Sequence, residues 1–211
     1  MELILSLAGI VVALLVGAIS PGPSFVLVAR TAISVSRLDG LCAAIGMGIG
    51  GVVFSILILL GLQAVFASAP WLYLALKLMG GSYLLYMGVR IWRSAEETMA
   101  SPGAMAGMRG SVMKSLLRGL LTQLSNPKTV VVYGSIFVAL LPHDLPPAAA
   151  LALPLLVFLV EAGWYAIVAL ALSAEAPRAA YLNSKKRIDR VAGGLMGLLG
   201  LKLIASAHSE S

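Results

Sequence analysis

The stretch GAISPGPSFVLVAR, residues 17–30, interrupts the apolar run with which this chain starts. Apolar or small residues occupy positions 3–16 before it, as expected of a helix that crosses a bilayer. Pro21 and Pro23 have no backbone donor, and Gly22 between them is a poor helix former. Because a bilayer offers no water to unpaired backbone groups, a break at this point is expected to serve a purpose.

The composition of the whole chain is that of an integral membrane protein. Of its 211 residues, 60% are hydrophobic and only 11% are charged, whereas soluble domains carry about 25% charged residues. The first apolar run lacks a basic start and places Pro21 directly after its only cleavage-like pattern, so we expect a retained span rather than a signal peptide. The single cysteine, Cys42, excludes a disulfide within one chain.

Six apolar runs predict six transmembrane helices in a single membrane domain, residues 1–211. The predicted helices are approximately 3–29, 40–66, 71–93, 116–141, 148–172 and 189–206. They form repeat one (about 3–93) and repeat two (about 116–206), joined by a cytoplasmic connector (about 94–115).

The basic residues predict the orientation of these helices. Lysines and arginines cluster in the loops 30–39, 90–118 and 173–190, and they are absent from the loops 67–70 and 142–147. The positive-inside rule therefore places the first three loops in the cytoplasm and both termini outside.

The stretch TQLSNPKTVVVYG, residues 122–134, repeats the pattern of the first break. Ser20–Pro21 and Asn126–Pro127 each combine a capping side chain with a proline suited to a first helical position. Spans one and four are thus predicted to stop and restart, as in transporters built from two inverted three-helix repeats. Their restarted helices would point positive N-terminal ends at each other, which suits a carboxylate. Two ordinary proline kinks are the alternative.

These motifs resemble those of the LysE/RhtB family of amino-acid exporters. The resemblance is carried by SPGPSFVLVAR, RLDGLCAAIGMGIG, KLMGGSYLLYMGVRIWR and LRGLLTQLSNPKTVVVYGSIFVALLP, in that order. It implies an exporter in the bacterial cytoplasmic (inner) membrane that moves amino acids or close derivatives outward, driven by the proton motive force. By position, Pro21, Gly22 and Pro23 match the family's first-span motif, and Asn126, Pro127 and Lys128 match its fourth-span motif. The family pattern does not specify the substrate.

Three charged residues lie well inside the predicted spans, away from the span ends: Lys77, Lys128 and Glu161. A charge at the bilayer centre costs on the order of 3 kcal/mol, so such residues usually face the protein interior with a partner. Lys77 lies close enough to the outer end of its helix to reach the surface instead. Lys128 and Glu161 fall at matching depths and are predicted to form a buried pair, either structural or functional. In a functional pair, Lys128 holds a substrate carboxylate, and Glu161 attracts an ammonium group or serves as the proton-coupling site.

The remaining candidates follow from helical spacing. Trp164 and Tyr165 share a helix face with Glu161 and either pack in the core or line a cavity for an ammonium group. Asp39 starts a helix or forms part of a gate. Small residues spaced four apart, as at Gly46 and Gly50, favour close helix packing, with sliding or dimerisation as alternatives. The predicted substrate-binding residues are Ser20, Pro21, Gly22, Pro23, Ser24, Asn126, Pro127, Lys128, Glu161, Trp164 and Tyr165.

The function that these residues favour is a secondary transporter for a neutral zwitterion, working by alternating access. A metal-ion exporter would need more oxygen or nitrogen ligands than the spans offer, and an enzyme would need a catalytic set that the spans lack. A non-transporting assembly subunit is a further alternative. We expect contact with the lipid bilayer and no cofactor, metal or nucleic acid; the oligomeric state is left open.

Overall fold

The described residues of this chain form eight helices and no strand. The computed structural model describes residues 2–20, 22–68, 70–96, 111–142 and 144–208. The helices are α1 (Glu2–Ile19), α2 (Pro23–Ser34), α3 (Arg37–Ser68), α4 (Pro70–Ser94), α5 (Val112–Leu124), α6 (Pro127–Leu140), α7 (Pro147–Leu172) and α8 (Glu175–His208). A chain this apolar folds into helices because a helix satisfies its backbone groups internally. Pro21 and most of the predicted connector lie outside the described residues.

Two of the described helices are long and apolar enough to cross a bilayer alone. They are α3, over Arg37–Leu62, and α7, over Pro147–Leu172. Helices α1 and α2 make a third span if they are taken together, with their axes bent by 61°, and α6 is a shorter apolar helix. Length and composition therefore support two or three of the six predicted spans directly.

The last helix begins well before its predicted start. The sequence predicted a loop at 173–190, but α8 already starts at Glu175. Hydropathy detects only apolar helices, whereas this first part of α8 is polar. It contains Lys185 and Asp189 four residues apart, with 2.7 Å between Lys185 Nζ and Asp189 Oδ2, a spacing that supports a helix.

Charged groups join the end of α4 to α8. Glu96, just after α4, accepts from Lys186 at 2.8 Å and from Arg190 at 3.2 Å. These cations, Lys186 above all, lower the pKa of the exposed Glu96 carboxyl. The Arg190 guanidinium carbon also lies 5.9 Å from the centre of the Trp92 ring, within the range of a cation–π interaction.

Glycines bring pairs of helices into direct backbone contact. A Cβ atom on Gly88 of α4 would lie 2.6 Å from the Gly193 carbonyl oxygen of α8. A Cβ on Gly46 of α3 or on Gly119 of α5 would overlap a backbone carbonyl of the other helix. The prediction that small residues pack helices within one chain is therefore confirmed.

Among the described residues, the apolar core consists of two clusters, and both contribute side chains to the surroundings of the helix breaks. The first cluster draws on α1, α6 and α7 and includes Leu14, Phe137 and Leu153. The second joins α2, α3 and α7 and includes Phe25 and Met47. A polar site at the breaks is thus bordered by both clusters.

Candidate functional site

The break between α1 and α2 is centred on Gly22. This residue has extended backbone angles, φ −142° and ψ −170°, and Pro23 is the first residue of α2. The predicted start at Ser20–Pro21 is therefore wrong by two residues. The reason is that Gly22 itself precedes a proline, which pushes it out of the helical region. Ser20 does not cap α2; it is buried in the break, with 4% of its surface exposed.

The break between α5 and α6 has the predicted form. Asn126 is the N-cap of α6 and Pro127 is its first residue. The Asn126 side chain accepts a hydrogen bond from the Lys128 backbone N–H at 3.1 Å. This bond satisfies one of the backbone donors that every helix start leaves free.

The starts of α2 and α6 lie against each other. Asn126 Nδ2 donates to Ser24 Oγ at 3.0 Å, which joins the first turn of α2 to the N-cap of α6. A Cβ atom on Gly22 would lie 3.7 Å from Lys128 Nζ. Two positive helix ends therefore meet at one place.

Lys128 binds the end of α1. Its Nζ donates to the carbonyl oxygens of Gly17 and Ser20, each at 3.0 Å. The last carbonyls of a helix lack partners within it and carry the negative end of the helix dipole, so an ammonium group is well placed there.

The predicted ion pair between Lys128 and Glu161 is not formed. Among the described side chains, no contact within ion-pair distance joins the two residues, although both line one cavity. Equal depth in a membrane does not define the direction in which a side chain points, and the sequence prediction used depth alone.

A chain of hydrogen bonds connects Glu161 to both breaks. Ser24 Oγ donates to Gln123 Oε1 at 2.8 Å, and Gln123 Nε2 donates to Glu161 Oε2 at 3.0 Å. Both Gln123 and Glu161 are buried, with 1% and 3% exposed surface. The buried carboxyl is thus linked through one glutamine to α2 and, through Ser24, to Asn126.

Tyr133 is the second polar neighbour of Glu161. Its buried hydroxyl lies close to both Glu161 and Gln123, although neither contact has the geometry of a hydrogen bond. Gly51 of α3 leaves room beside both groups, because a Cβ there would lie 3.0 Å from Tyr133 Oη and 3.3 Å from Glu161 Cγ. An unpaired buried hydroxyl is uncommon and costs stability.

These polar groups enclose a small cavity of about 20 Å³. A volume of this size admits about one water molecule. The polar side chains that line it are Ser20, Ser24, Gln123, Asn126, Lys128, Thr129, Tyr133, Glu161 and Tyr165.

A wide cavity of about 720 Å³ reaches the same breaks from one side. It shares Ser20, Gly22, Asn126 and Lys128 with the small cavity. The wide cavity is also lined by four residues of α4, namely Tyr83, Tyr86, Arg90 and Arg93. Pro23 and Pro127 also face this wide cavity.

The structure brings most of the predicted residues together. The exceptions are Trp164, which packs beside the second core cluster and lines neither cavity, and Pro21, which lies outside the described residues. The sequence prediction missed Gln123, Tyr133 and Gly51. A glutamine within the apolar run LLTQLSNP is the one signal that pointed to the first of them.

Two other charged residues considered from the sequence, Asp39 and Lys77, line neither cavity. Asp39 forms a helix start with Ser36, whose Oγ accepts from the Asp39 N–H at 3.0 Å and donates to Oδ2 at 2.6 Å. Its Oδ1 accepts from Ser115 of α5 at 2.8 Å. Lys77 is 4% exposed, so its side chain lies inside the protein and does not reach the surface.

The fold and the site together define a class of protein: a helical membrane protein in which two interrupted helices enclose a small charged chamber. A model of the LysE type translocator family matches residues 15–207 of the chain. The chain therefore belongs to the LysE type translocator family, as the sequence motifs indicated.

Relatives in bacteria agree with this family. The threonine efflux protein of Escherichia coli K12 is 32% identical over 194 residues, which cover 91% of this chain and 94% of the relative. The threonine efflux protein of Salmonella typhi is 33% identical, with the same shares covered. The leucine efflux protein of an Enterobacter species is 29% identical over 85% of this chain and 83% of its own. No solved structure matches the chain.

Proposed function

We propose that this protein exports amino acids or close derivatives across the bacterial cytoplasmic membrane. The observation that carries the proposal is the chamber in which the starts of α2 and α6 meet beside Lys128 and Glu161. Relatives named threonine and leucine efflux proteins support this substrate class. Both of those amino acids are neutral zwitterions, with one group for a cation to bind and one for an anion.

The substrate carboxylate binds at the helix starts. Gly22 and Lys128 present backbone and ammonium donors to both cavities, and helix N-termini bind anions in many proteins. In the absence of substrate, the Lys128 ammonium is occupied by carbonyls of α1. A carboxylate that draws Lys128 away therefore also releases the end of α1.

We propose six spans in two inverted repeats, and part of the helix packing supports this symmetry. A twofold axis would exchange α1 with α5, α2 with α6, α3 with α7 and α4 with α8. The observed contacts α3–α7 and α4–α8 each join equivalent helices, and the contact α1–α6 is matched by the equivalent contact α2–α5. The broken spans thus belong to equivalent places in the two halves.

The one-sided opening of the site supports the proposal of alternating access. The wide cavity lies at the end of α4 that carries Arg90 and Arg93, which the positive-inside rule assigns to the cytoplasm. The part of the first core cluster around Leu14, Phe137 and Leu153 does not line this cavity. This arrangement corresponds to an inward-facing state, ready to take up substrate from the cell.

Glu161 is the proton-coupling group in this proposal. It is the carboxyl that lines the small cavity, and the ionisable groups around it are Lys128, Tyr133 and Tyr165. A proton and a substrate ammonium both compete for a buried carboxylate, so the carboxylate can exchange one for the other.

An efflux assay with amino-acid-loaded cells tests the proposal. Cells that express the protein should lose one or more members of an amino-acid panel faster than cells that express Glu161→Gln. The Glu161→Gln variant should also lose the dependence of efflux on the proton gradient. A metal-ion exporter would change only metal content, and an assembly subunit would change neither. Equal efflux by the two proteins at every pH would remove the coupling role of Glu161.

A further inference from the structure

The hydrogen-bond chain from α6 to Glu161 has a fixed direction. The Lys128 backbone N–H can only donate, so Asn126 must present Oδ1 to it and Nδ2 to Ser24. Because Ser24 Oγ accepts from Asn126, its one hydroxyl hydrogen is donated to Gln123 Oε1. The Gln123 NH₂ group is left facing Glu161, and it requires an acceptor there.

This direction distinguishes the two oxygens of Glu161. Oε2 is held as an acceptor by Gln123. The other oxygen is the one free to bind an incoming donor. The buried Tyr133 hydroxyl, which makes no hydrogen bond, and Glu161 both lie beside Gly51.

We propose that the free Glu161 oxygen and the Tyr133 hydroxyl form the subsite for the substrate's primary ammonium group, with Gln123 as the residue that positions Glu161. This assignment rests on the proposed function and specifies which end of the substrate lies deepest. An ammonium group can donate one hydrogen bond to the free Glu161 oxygen and another to the Tyr133 hydroxyl oxygen. It therefore supplies a partner for both groups at once.

The sizes of the two cavities support this orientation of the substrate. The small cavity, about 20 Å³, accommodates a group about the size of one water molecule, and an ammonium group is of that size. The remainder of the substrate extends past Gly22 and Lys128 into the wide cavity of about 720 Å³. Gly51 keeps the subsite open, because a methyl group there would crowd both Tyr133 and Glu161.

A binding comparison with matched ligands tests the subsite. The probes are L-threonine and L-leucine, each paired with the 2-hydroxy acid of the same side chain, titrated into the purified full-length protein in detergent. For Tyr133→Phe we expect about tenfold weaker binding of the amino acid and no more than a twofold change for the hydroxy acid, since a hydrogen bond to a charged group is lost. Gly51→Ala should show the same selective loss.

Tyr181→Phe is the matched control. Tyr181 also has a buried hydroxyl without a partner, but it stacks on Phe25 at 5.1 Å and lines neither cavity. Its variant should bind both ligands like the unmodified protein. An equal loss of both ligands in Tyr133→Phe, or no loss, would overturn the subsite alone. If the unmodified protein bound neither these two amino acids nor any other member of the panel used for efflux, the proposed function would fail and the subsite with it.

Discussion

At the scale of single residues, Lys128 has two partners that exclude each other. Its ammonium now binds the Gly17 and Ser20 carbonyls, and in the proposed cycle it binds a substrate carboxylate. In this proposal, the ammonium group that now holds the end of α1 also recognises the substrate. A lysine suits this exchange because its charge sits on a flexible stem with three donors.

Replacing Lys128 by methionine should raise the KM of amino-acid efflux by tenfold or more. A charge-assisted hydrogen bond contributes about 1.5–3 kcal/mol, and methionine keeps the length of the side chain without its charge. Lys128→Arg is the control, since it retains the charge and should retain part of the affinity. Efflux measured over a range of internal substrate concentrations gives the KM. An unchanged KM in the methionine variant would exclude Lys128 as the carboxylate ligand.

Substitutions of Asn126 should distinguish the hydrogen bond that its side chain accepts from Lys128 N–H from the one that it donates to Ser24. Asn126→Ala loses the cap on the Lys128 N–H and should reduce the free energy of unfolding by about 1 kcal/mol. Asn126→Asp keeps the cap but cannot donate to Ser24, so it should retain most of that stability. Thermal unfolding in detergent compares the variants. An aspartate variant as unstable as the alanine variant would show that the bond to Ser24, and not the cap, holds this break together.

Local chemistry explains which residues of the site could be predicted from the sequence. Asn126 and Pro127 carry their own start signal, and both are found where that signal placed them. Tyr133 carries no such signal, because a tyrosine in an apolar run is equally suited to core packing. Its position beside Glu161 depends on how α6 is rotated against α7, and hydropathy does not contain this information.

At the scale of the elements, proline alone does not decide where a helix breaks. Pro154 lies inside α7, which runs without interruption over Pro147–Leu172. The breaks occur where an extended residue, Gly22 or Asn126, stands before the proline. The combination of proline with a residue suited to a non-helical conformation is therefore the better predictor.

The contact between α3 and α5 should be sensitive to a single methyl group. Gly119→Ala places a Cβ against the Ala43 carbonyl, and overpacking of this kind costs about 1–3 kcal/mol. Gly134→Ala in α6 is the control, since nothing lies within 4 Å of its added Cβ and alanine favours a helix over glycine. Unfolding temperatures in detergent should fall for the first variant and hold or rise for the second. Equal temperatures would contradict the close packing.

At the scale of the whole molecule, the wide cavity makes the two faces of the protein unequal. Tyr86, which lines it, is 58% exposed.

The class of protein, the breaks and the meeting of the helix starts were predictable because composition and capping are local properties of the sequence. The one-sided opening was not, because it depends on how the helices pack against one another.

Labelling of single cysteines tests this opening. In a Cys42→Ala background, a membrane-impermeant thiol reagent should modify Tyr86→Cys in everted vesicles and not in intact cells. Asp144→Cys, exposed in the loop before α7, should show the reverse pattern. Modification of the residue-86 cysteine from outside intact cells would contradict the inward-facing assignment.

The small size of the chamber bears on how well the membrane retains its proton gradient. A carrier that draws on the proton gradient must not let protons leak while it is empty, since a leak would dissipate the gradient on which the cell depends. With room for about one water molecule and an ammonium group at its mouth, the chamber is too tight for a file of water and repels hydronium. In the proposed proton-coupled cycle, proton movement through the chamber would therefore require a substrate that displaces Lys128 from the Gly17 and Ser20 carbonyls.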